Sequence, residues 1–502
     1  MKRLVILIAA CVLVAVSAVP VQGHAGETKE EFRAYWVDAF HDGFKTPEQV
    51  DQLMEDVRRS NANAVFVQVR RRGDAYFNKA LEPRTEDPDL QTGFDALSYL
   101  LEKAHEESPR IEVHAWLATL PIWNSATPPA AENHVFNQHG PSAKGRDYWL
   151  MERADGVDRH GADYVLDPGH PDVVDYTVDQ YVNVVRQYPV DGVHLDLVRY
   201  MGPEWGYNPT SLERYRMQTG ESGIPDPQDE KWKAWRREQV DYLMRKVYLE
   251  SIAVRPEVKV SAAVIAWGQG PSTLEEYRQS APYTRVMQDW NGWLKEGIID
   301  LAVPMNYDRE HVPEQKKWYD QWIEWEKDHS YERHVAAGPG VYLNSVSGSL
   351  AQISRAQAPS EEGNRLSGVS LFSYAQTNKD GEPRDSLIRA LTESSEYGEP
   401  VFPEPAIPPT MGWKKHPDKG HLMGRVTDSA GTPLDGATVE LRGKGNRIDT
   451  LKTDGSGFFG VADLPAGHYT VKMKKGQGHG PARSIRVQSG QVTEADLHVI
   501  RP

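Results

Sequence analysis

The stretch Pro189 to Tyr200, PVDGVHLDLVRY, decides the fold. A proline and an Asp-Gly pair break the preceding helical pattern, and the apolar run Gly192 to Val198 follows before the chain turns basic at Arg199. Side chains alternate in an extended segment, so His194 and Asp196 share one face while Val193, Leu195 and Leu197 share the other. A short run covered on its apolar side, with an acid at its end, is what a parallel barrel strand delivers to the open end of the barrel.

Outward from this run, seven similar ones recur: Ala34 to Phe40, Ala64 to Arg70, Ile111 to Leu117, Val258 to Trp267, Leu301 to Tyr307, His334 to Tyr342 and Gly368 to Tyr374. The segments between them read as helices. Pro47 to Ser60 carries Val50, Leu53, Met54 and Val57 at helical spacing behind a Thr46 cap and a first-turn proline. Pro171 to Arg186 reads as the helix before strand four. Eight strand and helix pairs predict an α/β fold, a (β/α)8 TIM barrel, over residues 30–395. Residues 396–420 are proline-rich and read as a linker, and residues 421–502 carry short β-runs with turn signals, the texture of a small all-β sandwich.

The length of 502 residues suits a large barrel with an appended domain. A formal charge of −15 argues against nucleic acid and anionic membrane surfaces as partners and leaves neutral polymers open. Met1 to Arg3 is basic and Leu4 to Val19 apolar, which reads as an export signal over residues 1–25 and places the mature chain in the periplasm or outside the cell, with no integral membrane segment. The single cysteine, Cys11, follows small residues as in lipid-anchored proteins. The apolar run continues past it to Val16, which favours ordinary cleavage near Gly23 or Ala25.

Polar residues that end barrel strands are the candidate chemistry. They are Asp38, Gln68, Arg70, His114, Trp116, Trp267, Tyr342, Tyr374 and Gln376. In strand six, Asn306 and Asp308 share one parity, opposite Leu301, Val303, Met305 and Tyr307, and are expected to face the mouth with Asp196. Paired carboxyls beside aromatic faces are the requirements of glycoside hydrolysis. The expected roles are Asp196 as nucleophile, held ionised by Arg70 and His194, and Asp308 as general acid/base. Asp38, His114, Asn306, Tyr307 and Tyr374 would bind hydroxyl or acetamido groups of an oligosaccharide or polysaccharide, with Trp116 and Trp267 as stacking platforms; no cofactor or metal is called for.

Plainer readings exist for the same residues. Asp196 could pair with Arg199 or Arg70, Asp308 could only open a loop, and His114 and His194 could be hydrogen-bonded barrel histidines. Two other functions compete. One is a glycan-binding barrel without catalysis; the other is a zinc hydrolase or deacetylase using His41, His114, His194 and Asp308, against which stands the lack of a His-x-His or His-Glu-x-x-His pair.

The stretches RAYWVDAF, NAVFVQVRRRGDAYF, VHAWLA, YVLDPGHPDVVDY, YPVDGVHLDLVRY, WRREQV, MQDWNGWLKEGIIDLAVPMNYD and GVSLFSY resemble, in order, the glycosyl-hydrolase-like family ten, over about Arg33 to Tyr374. The resemblance implies an exported barrel with glycosidase activity on polysaccharide, bacterial cell-wall glycan among the candidates. Many members have two adjacent acids in the strand-four motif, where this chain has Asp196 followed by Leu197, and often Pro-Gln-x-Tyr-Trp at strand six, where it has Pro304-Met305-Asn306-Tyr307-Asp308. HLDLVRY is also similar to the strand-four nucleophile motif of α-amylase-type barrels, an analogy of fold only. GRVTDSAGTPLDGATVEL and DGSGFFGVADLPAGHYTV resemble a carboxypeptidase regulatory-like domain.

Overall fold

The computed structural model describes residues 29–443, 448–474 and 480–500, so the expected export signal and Cys11 lie outside the described residues. The barrel strands are β1 (Phe32–Val37), β2 (Ala64–Arg70), β3 (Glu112–Ala118), β4 (Gly192–Asp196), β5 (Lys259–Ile265), β6 (Leu301–Met305), β7 (His334–Ala337) and β8 (Gly368–Leu371). Each pairs in parallel with its neighbours in chain order, and β8 returns to β1, closing the barrel. Closure brings Gly368 so near β1 that a Cβ there would lie 1.9 Å from the Phe32 carbonyl oxygen, at a φ of +151°. Only glycine fits.

The helical layer follows from local signals. In the helix Pro47–Arg59 the Thr46 side chain accepts from the Gln49 N–H, proline opens the first turn, and Val50, Leu53, Met54 and Val57 are buried on one face. Alternation then sorts each strand. Tyr35, Val65, Val113, Val193 and Val260 pack outward on helices, while Ala34, Phe66, Trp116, Ala263 and Val303 fill the interior.

Two insertions leave the repeat. Between β3 and the helix Pro171–Gln187 the chain builds a small three-stranded sheet from Pro121–Trp123, Asp163–Val165 and Arg159–His160, which overhangs the mouth. Between β4 and β5 it builds the helices Pro209–Thr219 and Glu230–Val254.

The proline-rich segment expected as a linker is a packed strap across the barrel base. Phe402 is buried with the Arg33 guanidinium 4.4 Å over its ring, and Arg33 also donates to the Glu404 carbonyl at 2.7 Å. Asn63 donates to the Ala406 carbonyl. Met411 and Trp413 then join Phe32 and Leu301 at the bottom of the interior. Asp300, fully buried, accepts from the Trp413 indole at 2.7 Å and pairs with Lys414 at 3.0 Å.

The C-terminal unit is all-β. One sheet holds Phe458–Pro465, Lys419–Asp428 and Val492–Glu494, with Leu497–Val499 also on Lys419–Asp428; the other holds Ile448–Lys452, Thr438–Arg442, Gly467–Met473 and Arg483–Val487. Leu422, Val426, Val439, Leu441 and Val471 form its core. It docks on the barrel's side rather than its mouth: Phe458 and Ala462 join the barrel core, and Arg214 makes a two-pronged pair with Asp435 at 2.7 and 2.8 Å.

The strap makes a stability prediction. Asp300→Asn strands the Lys414 ammonium without its counter-charge and should cost about 3–5 kcal/mol, whereas Trp413→Phe removes one hydrogen bond at about 1 kcal/mol. Urea denaturation of both variants checks this; equal costs would show that the ion pair does not hold the strap.

Candidate active site

At the C-terminal ends of the strands lies a cleft of about 340 Å³. Its wall is aromatic on four sides, with Trp36 from β1, Trp116 from β3, Trp123 from the overhanging sheet and Trp267 after β5. Its carboxyls are Asp38, Asp163 and Asp196, and its cations Arg71, Arg72 and Arg199.

Asp196 ends β4 with the inward parity expected of it. Its Oδ2 accepts from the Trp116 indole at 3.2 Å and its Oδ1 from the Leu197 N–H at 2.7 Å. Leu197 itself sits at φ +56°, a left-handed conformation that costs a leucine roughly 1–2 kcal/mol. Burial raises the Asp196 carboxyl above the usual range, opposed by Arg199 and by the Leu197 and Trp116 donors. The Arg199 guanidinium lies over Trp267, 5.3 Å from the ring centre, and Trp267 is 39% exposed, an open platform.

Asp38 also lines the cleft. Its Oδ1 accepts from the Phe40 N–H, the His41 N–H and His41 Nδ1 at 2.8 to 3.1 Å. Tyr307 faces in, its ring tilted 30° to that of Phe372 at 5.1 Å, and burial together with the Asp196 charge raises its phenol.

Beneath the cleft, the Trp36 indole donates to His194 Nε2 at 3.1 Å and His194 Nδ1 meets Ser261 Oγ at 2.9 Å. Burial, with His114 nearby, holds His194 well below the usual range and therefore neutral. His194 is thus the floor rather than a group open to substrate. His114 is deeper still, fully buried beside Glu112 and packed on Phe66. Neither histidine lines the cleft, and His41 sits at the rim with Asp38; among the described residues no cluster of three or more His, Cys, Asp or Glu is placed to hold a metal.

Four other expected positions need correction. In β6 the parity is the reverse of the expectation: Leu301, Val303, Met305 and Tyr307 point inward, and Asn306 and Asp308 outward to the helices. Asn306 donates to Glu326 at 2.8 Å and accepts from the Gly338 N–H, tying β6 to the helix Pro313–Asp328 and to the chain after β7. Asp308 is 6% exposed beside that helix, and its Oδ2 is buried without a hydrogen-bond partner. Burial pushes its carboxyl up to about 7 and that of Glu326 to about 8. Arg70 points away from Asp196, because β2 shifts register between Gln68 and Arg70; it pairs with Glu82 at 2.7 Å, and Arg71 takes the inward place. Tyr374 is buried in the helical layer, donating to Asp56 at 2.8 Å under the Arg384 guanidinium.

The residues that sequence reasoning missed are Asp163, Trp123, Arg71, Arg72 and Trp36. The arginines were visible in the RRR triplet at positions 70–72. Asp163 and Trp123 gave no signal, since the strands that carry them have only three residues.

Known proteins share this architecture. The glycosyl hydrolase YngK of Bacillus subtilis (strain 168) is 25% identical over 314 residues, which cover 58% of this chain and 57% of that one. The glycosyl hydrolase DigH of Escherichia coli (strain K12) is 28% identical over 270 residues, covering 51% and 57%. The chain thus spans little more than half the length of these relatives. Among solved structures, the PgaB (BpsB) glycoside hydrolase domain from Bordetella bronchiseptica superposes with a TM-score of 0.51 at 16% identity, over 73% of this chain and 100% of that one, a likeness of fold. Residues 421–499 match the carboxypeptidase regulatory-like domain. Residues 31–354, the barrel with its cleft, match the profile of Glycosyl hydrolase-like 10, and the chain belongs to that family.

Proposed function

We propose that this chain is a glycoside hydrolase that cleaves O-glycosyl bonds in a polysaccharide, with Asp196 as its principal catalytic carboxyl. One observation carries the reading: Asp196 is a half-buried, cleft-lining acid at a strand's C-terminal end, held on both oxygens in a cleft lined by tryptophans. The glycosyl hydrolase names of the relatives support it.

The raised proton affinity of Asp196 changes the role expected for it. A carboxyl whose proton affinity is raised suits the general acid, which protonates the glycosidic oxygen as the bond to the anomeric carbon breaks. The second carboxyl must then come from Asp163 or Asp38, since Asp308 packs behind β6. Asp38 has one oxygen occupied by three donors, a fixed acceptor suited to sugar hydroxyls. Asp163 lines the cleft from the small sheet inserted between β3 and β4 and is our candidate for activating water or attacking the anomeric carbon. The apolar leader supports action outside the cytoplasm, and wall glycan is a substrate to be met there.

Reducing ends released from denuded peptidoglycan strands and from a panel of neutral and acidic glycans test the activity. Asp196→Asn should lower kcat/KM by roughly 10²–10⁴, while Asp308→Asn should leave turnover near wild type; the reverse pattern would sink the assignment. The wild-type rate should fall as pH rises through the Asp196 pKa, because the deprotonated acid cannot protonate the leaving oxygen, and Asp196→Asn should lack that limb.

The buried pair behind β6 yields a separate stability test. Glu326 is raised from 4.5 to about 8, so the folded state binds its proton more tightly than the unfolded chain. Stability from this group is full below pH 4.5 and is lost as pH rises toward about 8. Glu326→Gln keeps the bond from Asn306 and should flatten the decline in urea midpoint between pH 5 and 8; an unchanged slope would count against it.

A further inference from the structure

The buried arginines outside the cleft are held by carboxylates or by backbone carbonyls: Arg236 donates to the Pro203 and Trp205 carbonyls at 2.7 and 2.6 Å and Arg237 to the Tyr283 carbonyl at 3.1 Å, and the others have carboxylate partners. Arg70 meets Glu82 at 2.7 Å, Arg214 meets Asp435 at 2.7 Å, Arg245 meets Glu296 and Arg333 meets Asp463 at 2.7 Å. Two cleft arginines break this pattern. Among the described residues no carboxylate lies within ion-pair distance of Arg71 or Arg199, the Nε of each is buried without a hydrogen-bond partner, and their guanidinium groups have as backbone partner only the Tyr200 carbonyl, 3.3 Å from Arg199 Nη1. Each guanidinium is instead laid on an aromatic face, Arg71 3.9 Å from the Phe40 ring centre and Arg199 5.3 Å from that of Trp267.

Withdrawing a guanidinium from water without a directly bonded carboxylate is costly, and the aromatic face, with the more distant Asp196 charge in the case of Arg199, recovers only part of that cost. A ring face offers a guanidinium no hydrogen-bond acceptor, so N–H donors of both remain for a planar, two-oxygen acceptor. In a chain of net charge −15, two cations held in the one cleft without a carboxylate in ion-pair contact mark a place for a negative group brought by the ligand.

We infer that the cleft takes an acidic glycan, one whose sugars carry a carboxylate, and that Arg199 and Arg71 receive that carboxylate and set the specificity. The inference rests on the hydrolase reading for the word glycan and on the two arginines without a carboxylate in ion-pair contact for the word acidic. A substrate carboxylate on Arg199 would also neutralise the cation that opposes proton retention by Asp196, so the correct substrate would favour the protonated acid. The carboxylate could be that of a uronic acid or of a lactyl ether on an amino sugar; both present the same planar group.

The test is calorimetric binding to the full chain carrying Asp196→Asn, so that turnover does not intervene. The ligands are tetragalacturonate, the tetrasaccharide of a denuded peptidoglycan strand, and the carboxyl-reduced form of each. At least one acid should bind about tenfold or more tighter than its reduced form, and whichever does so identifies the source. Arg199→Gln and Arg71→Gln should each erase most of that preference while leaving the affinity of the reduced ligand unchanged. Equal affinity for acid and reduced forms, no binding of either acid, or glutamine variants that keep the preference would each overturn the inference. Should a variant fail to fold, the acid and reduced pair on the parent protein decides alone. A chain that binds acids but cleaves nothing refutes the hydrolase reading only, and one that cleaves neutral glycans while ignoring the carboxyl refutes this inference only.

Discussion

The hydrogen bond from the Trp36 indole to His194 Nε2, 3.1 Å long, governs the electrostatics of everything above it. An indole N–H can only donate, so Nε2 must be the acceptor and the imidazole proton must sit on Nδ1, where it reaches Ser261. Ser261 in turn donates to the Val193 carbonyl. One chain of polar contacts therefore joins β1, β4 and β5 through the barrel interior, with the Phe66 ring 4.1 Å from the imidazole closing the layer. The histidine is left neutral, so the floor offers Asp196 no positive charge. What remains near that acid is Arg199 and two N–H donors, too little to offset its burial.

The fold was readable because its signal is repetitive. Each of the eight apolar runs overlaps a barrel strand, and strand four could be oriented since His194 and Asp196 are polar on one parity and Val193 and Leu195 apolar on the other. The same rule failed for β6, and the reason is physical. A barrel interior is itself a packed apolar core, so Leu301, Val303 and Met305 belong inside, and the outward Asn306 is satisfied by a buried glutamate from a helix. Polarity alone does not distinguish a residue facing the mouth from one bridging the two layers.

Other site residues depended on features that no periodicity carries. The shift between Gln68 and Arg70 decides that Arg71 and Arg72, and not Arg70, line the cleft. Tyr374 follows β8 and is drawn outward to Asp56 by an ordinary hydrogen bond. Asp163 and Trp123 reach the mouth only because a short sheet folds over it, and a sheet of two- and three-residue strands leaves too little pattern to read.

The strap beneath the barrel bears on where the catalytic unit ends. Phe402, Met411 and Trp413 cover apolar groups at the base that no barrel helix reaches, and Lys414 supplies the charge that Asp300 requires inside. The residues that complete the barrel are thus synthesised after its last helix, Arg384–Thr392, and directly before the sandwich strand that begins at Lys419. A nascent barrel must wait for them, with its base open to water. Cutting the chain between two apparent domains at residue 395 would remove part of the core rather than release a free-standing enzyme, so the smallest unit that can fold as this barrel reaches at least to Lys414.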